Sequence, residues 1–193
     1  MPYFAYSVLL LCVITSYSLN WSSLILPKWL AIINDDNDDE TIIRSFGLFQ
    51  LCQNGTNEAC RAFPSSETQE KEGCDNIDLC PLWQAAGAAM ILAGVIGALT
   101  IIAVLGTMGC RNRRKREKGW KVVSGMLVLH AVPSIVAVLI MAHLSKSLHG
   151  TRLDVSCILA TIAWILSILI AMVLTYITSS SSSTDYYDYE PLD

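Results

Sequence analysis

Charge is what this sequence has least of. Asp, Glu, Lys and Arg make up 16% of its 193 residues, against about 25% in an average globular protein, and they are gathered into a few short stretches. No acidic or basic side chain occurs from Met1 to Pro27, from Pro81 to Cys110 or from Val155 to Thr184, and His130 is the one exception between Val122 and Ala142. A helix on the surface of a soluble bundle carries a polar face, and these runs have none. Each covers the roughly 18 to 20 apolar residues that cross a hydrocarbon layer about 30 Å thick. In lipid the backbone must satisfy its own hydrogen bonds, so each run reads as a helix. The expectation is therefore a membrane α protein, a left-handed four-helix transmembrane bundle with spans at 4–26, 82–109, 122–142 and 155–178. The first run also lacks the basic leader of a signal peptide, and its apolar character continues to Leu26. It reads as a retained helix and not as a leader cleaved near Ser16 or Ser18.

Recognisable catalytic chemistry is missing too. The chain has no glycine-rich phosphate loop, no HExxH, no nucleophile beside a base, and no carboxylate inside the four runs. We expect no enzyme, no cofactor and no small-molecule substrate. Four of the seven cysteines lie between residues 27 and 80, namely Cys52, Cys60, Cys74 and Cys80. They form no CxxC pairs and have no histidine nearby, which argues against a zinc site.

What charge there is sets the orientation. "CRNRRKREKGWK" holds seven Lys or Arg against one Glu between Arg111 and Lys121. A short loop this basic, here 110–121, stays in the cytoplasm by the positive-inside rule. Nucleic-acid binding is the weaker reading of the same residues, and contact with the inner leaflet the stronger. Four spans then leave both termini cytoplasmic and put connections 27–80 and 143–154 outside, in an oxidising compartment. Four cysteines there allow three pairings, and short local loops favour Cys52–Cys60 with Cys74–Cys80. Cys12 and Cys157 lie within spans and read as small packing residues. Cys110, at the membrane edge, is a candidate for palmitoylation.

Two sequons occur, at Asn20 and Asn54. Asn20 falls inside the first span, so Asn54 is the expected glycosylation site of a cell-surface glycoprotein. The tail at 179–193, "SSSSSTDYYDYEPLD", is low in complexity and reads as disordered. Within it Tyr189 and Leu192 match a tyrosine-based sorting pattern, and Tyr186, Tyr187 and Tyr189 stand among acids as phosphorylation candidates. The acidic stretch Asp35, Asp36, Asp38, Asp39 and Glu40 reads as a solvated loop.

"LPKW" directly after the first span, followed by "GLFQLC" and a second cysteine eight residues later, resembles the superfamily of claudins, peripheral myelin proteins and epithelial membrane proteins. The carrying residues are Trp29, Gly47, Leu48, Phe49, Cys52 and Cys60. "LWQAAGAAMILAGVIGALTIIAVLGTMGC" is similar to the second span of that family. The resemblance implies a small extracellular antiparallel sheet on the bundle, stapled at Cys52–Cys60. "TIIRSFGLFQLC" suits one of its strands, and Trp29, Leu48 and Phe49 would pack where sheet meets membrane. Departures are visible. Phe49 stands where the family has tryptophan, Cys74 and Cys80 are additional, "HLSKSLHGTRLD" is short enough that its strand is abbreviated or missing, and "EPLD" ends in a charge that does not suit a PDZ groove. Fungal membrane sensors and domain organisers of the superfamily therefore fit as well as claudins do.

Inside the spans, Ala86, Ala89, Ala93 and Gly97 mark a close-packing face, with Gly87, Gly94 and Gly106 along the same run. His130 reads as a neutral histidine bonded to a neighbouring helix, and Pro133 as a kink. The expected function is non-enzymatic: a plasma-membrane organiser of contacts or domains, whose outer lobe meets itself or other membrane proteins in cis or in trans, as in cell adhesion. Pore formation lined by the acidic stretch is a special case of it. The alternative is an accessory subunit or sensor of a channel or signalling complex.

Overall fold

The computed structural model describes residues 3–34, 41–53, 60–63, 79–110, 112–148 and 151–184. Four long helices run through them: α1 (Tyr3–Ile25), α2 (Leu79–Gly109), α3 (Arg113–Ser147) and α4 (Val155–Thr184). Each holds a stretch long and apolar enough to cross a membrane. They pack as a ring, in which α1 touches α2 and α4, and α3 touches the same two neighbours from the other side.

The distribution of side chains is inverted relative to a soluble bundle. Leu11, Ile102, Leu139, Ile158 and Val173 point outward, while Ala86, Ala93, Ala160, Ala163, Ser16 and Ser167 fill the centre. Without a hydrophobic drive between helices in lipid, close approach of small residues and interhelical hydrogen bonds hold such a bundle together. This pattern, with four spanning-length helices, marks a multi-pass membrane protein.

α3 and α4 extend furthest beyond the expected spans. The basic stretch expected as a loop is helical from Arg113 onward, because Arg, Lys and Glu are good helix formers and the turn needs only a few residues. Likewise α4 continues through Ser179 to Thr184, into the stretch expected to be disordered, since an existing helix gains one hydrogen bond for each residue it adds.

A five-stranded antiparallel sheet caps one end of the bundle. Its strands are β1 (Leu30–Asn34), β2 (Thr41–Phe46), β3 (Gln50–Gln53), β4 (Cys60–Ala62) and β5 (Thr151–Leu153), in the order β4-β3-β2-β1-β5. "TIIRSFGLFQLC" is therefore two strands and not one. The chain reverses at Leu48 and Phe49, closed by the Gly47 N–H donating to the Gln50 carbonyl at 2.7 Å. The fifth strand is present but three residues long. It pairs Leu153 with Leu30 and Thr151 with Ile32, so the connection between α3 and α4 is sewn to the one between α1 and α2.

Candidate functional site

The sheet and its seat on the helix ends gather most of the residues singled out by sequence. Cys52 and Cys60 are directly opposite each other on β3 and β4 and are joined by a disulfide. Cys80, in the first turn of α2, is disulfide-bonded as well. Its expected partner Cys74 lies outside the described residues, as do Asn54, the acidic stretch 35–40, and Tyr186, Tyr187, Tyr189 and Leu192.

Beneath the sheet is an aromatic seat. Trp29 is fully buried, with its indole N–H donating to the Ser23 carbonyl at 2.8 Å. Its backbone N–H donates to Phe46 of β2, and its carbonyl accepts from Asp154, the residue before α4. One residue thus ties α1, β2 and the start of α4. It is a core residue, not only an interfacial anchor. Asp154 also caps α4, its carboxylate accepting the Val155 N–H at 2.7 Å, a residue type favoured there.

Leu48 is buried in the same cluster as Trp29, Leu30, Leu51, Phe63 and Trp83. Phe49 differs. It is 44% exposed and lays its ring edge over Gly87 of α2, so it meets the helix from outside, where the bilayer surface would lie. A cavity of about 210 Å³ opens beside it, between the end of α1 and the turn at Gly47–Gln50.

The Phe49 ring carries no N–H donor. Trp83 does supply one to this turn: its Nε1–H donates to the Gly47 carbonyl at 3.2 Å. The Trp83 ring also meets Phe63 edge-on at 5.3 Å and Phe46 at 5.8 Å. The sequence alone does not single out Trp83, and the one signal it offers is an indole at the start of an apolar run, whose N–H needs an acceptor once buried.

The centre of the bundle holds a chain of polar contacts across all four helices. Ser16 and Ser167 lie 2.7 Å apart, and Ser16 reaches the Ala163 carbonyl. Asn20 donates to Ser134 at 3.1 Å, and His130 Nδ1 lies 2.8 Å from the Ala93 carbonyl. A carbonyl only accepts, so Nδ1 carries the proton. Gly97 makes room for this chain, since a Cβ there would stand 2.8 Å from the Tyr17 ring and 3.2 Å from His130. The small-residue face of α2 is therefore an intramolecular contact, as Ala86 and Ala93 also show by their complete burial. Pro133 lies inside α3 and offers no N–H to the Leu129 carbonyl. Asn20 is fully buried, which leaves its sequon no access to a glycan.

Cys12, Cys110 and Cys157 are free thiols. Cys157 is buried, and the other two are half-buried. Among the described residues, no three His, Cys, Asp or Glu side chains come together as metal ligands would. No model of a known protein family matches the chain, and no curated protein matches it.

Proposed function

We propose that this chain is a distant claudin-like tetraspan of the plasma membrane, which organises membrane contacts or domains through its sheet lobe. In this reading the lobe and the α3–α4 connection face outward, and the basic end with both termini lies in the cytoplasm. The observation that carries it is the join between β1 and β5. It makes both connections at that end of the bundle one sheet, which is cross-linked at Cys52–Cys60 and seated on buried Trp29 and Trp83. A lobe held at this many points presents a fixed surface to a neighbour, and preorganisation of that kind favours binding by lowering the ordering cost.

Phe49 adds a point of contact where the lobe meets the bilayer surface, because a half-exposed aromatic there suits both lipid and a neighbour's spans. The experiment is expression of a fluorescently tagged chain in cells that lack junctions. An organiser accumulates at cell contacts by itself. A diffuse distribution that sharpens only when another membrane protein is supplied would instead mark an accessory or regulatory subunit.

A further inference from the structure

We propose that the groove between α3 and α4, at the end of the bundle away from the sheet, binds one anionic phospholipid. The proposal rests on the chain lying in a bilayer, and is independent of what the sheet lobe contacts. Two adjoining cavities form the groove. The outer one, about 380 Å³, is lined by Lys121, Ser124, Thr175, Thr178 and Ser179. The inner one, about 440 Å³, shares Ser124, Thr175 and Ser179 and continues along Val128, Ile168 and Met172 toward mid-bundle. Both fall within the roughly 300 to 1,000 Å³ typical of small-ligand sites. Polar at the helix ends and apolar deeper in, the groove has the polarity of a lipid, with headgroup at the edge and acyl chain along the spans.

The charge of the outer half selects among lipids. Lys121 is exposed and has no hydrogen bond or ion pair among the described residues, and no carboxylate lines either cavity. Its ammonium is thus a positive charge at the mouth with no ion pair among the described residues, and Glu117, one turn earlier on α3, is the nearest acid in sequence. Ser179 is exposed and its hydroxyl makes no hydrogen bond among the described residues, while Ser124 and Thr175 hold each other at 2.8 Å and Thr178 bonds its own helix at the Leu174 carbonyl. The site offers a phosphate one ammonium and the Ser179 hydroxyl, set on hydroxyls that are already fixed in place. Lys115, Arg116 and Lys118 stand one to two turns further out on α3 and, with Glu117 as the single acid among them, leave that stretch net positive. Basic pockets between spans are a known physical solution for holding acidic headgroups. At the apolar half, Val128 and Met172 are about half exposed and Tyr176 is 76% exposed, which leaves a seam for an acyl chain beside an aromatic suited to the interface. Free phosphate has no use for that apolar half, so the occupant is a lipid.

The test uses the full chain in nanodiscs of phosphatidylcholine containing a minority of phosphatidylinositol bisphosphate. Lipid retained after release into detergent is counted by native mass spectrometry. We expect one acidic lipid to be retained in preference to phosphatidylcholine. Lys121→Gln lowers that retention about fivefold, the contribution of one basic residue near an acidic surface. Val128→Trp, which fills the apolar half at an exposed position, lowers it by a similar factor, while Lys115→Gln changes it less than twofold. Thermal melts of the variants separate lost binding from lost folding. Equal losses in Lys115→Gln and Lys121→Gln overturn the proposal in favour of diffuse surface charge. Retention of phosphatidylcholine to the same extent overturns it too, as does displacement by a soluble inositol phosphate lacking acyl chains at comparable affinity.

Discussion

Gly47 sits where a side chain has no room. A Cβ built there would stand 2.6 Å from the Pro27 Cα and 3.2 Å from the Gln50 carbonyl oxygen, both backbone atoms that cannot rotate away. The same residue donates its N–H to Gln50 and gives its carbonyl to Trp83, so the turn cannot move without loosening the seat. Gly47→Ala should therefore destabilise the fold by about 1 to 3 kcal/mol, the usual cost of overpacking. A thermal melt in detergent checks this, with a drop of several degrees expected for a chain of this size. Quenching or a spectral shift of tryptophan emission should accompany the drop if Trp83 is released. The sequence marked Gly47 as a motif residue but not the reason for it, because the crowding comes from Pro27, which is twenty positions earlier and close only once the lobe is docked.

Among elements, the helices were legible and the strands only partly. A charge-free run of more than twenty residues has few alternatives to a spanning helix. Strands of three to six residues depend on partners instead. The β2–β3 reversal opens on Gly47 but turns through Leu48 and Phe49, not through the Asn or Asp that also announce turns, and Leu48 is buried in the cluster beneath the sheet. β5 exists by pairing with β1 across more than a hundred residues, a contact that no local pattern encodes. β1 was hidden in the apolar collar after α1. The Cys52–Cys60 staple was legible from its short spacing and from the resemblance, and it closes the edge pair β3–β4. Removing such a bridge typically costs about 2 to 5 kcal/mol in a small domain. Cys52→Ser should trap the chain in the secretory pathway, measured as loss of surface biotinylation against total protein. Surface levels equal to the parent would show that the sheet holds without its cross-link.

For the molecule as a whole, the proposed orientation follows from the seven basic residues between Arg111 and Lys121 against a single Glu, an asymmetry that retains such a segment in the cytoplasm. Cys110 is free and half-buried at that end. It provides a direct reading of sidedness. An impermeant maleimide applied to intact cells should leave Cys110 unlabelled, with labelling only after permeabilisation, and Cys110→Ser should abolish that signal. Labelling in intact cells would place the basic end outside and the sheet lobe within. In the proposed role the lobe joins membranes through a surface fixed by both connections. The most direct measurement is a mosaic monolayer in which cells expressing the tagged chain touch both expressing and non-expressing neighbours. Enrichment is expected at borders where both cells express the chain, and is expected to be lost when β5 is unpaired from β1 by Arg152→Pro in a variant that still reaches the surface. Equal intensity at borders with non-expressing cells, or undiminished enrichment in that variant, would contradict it.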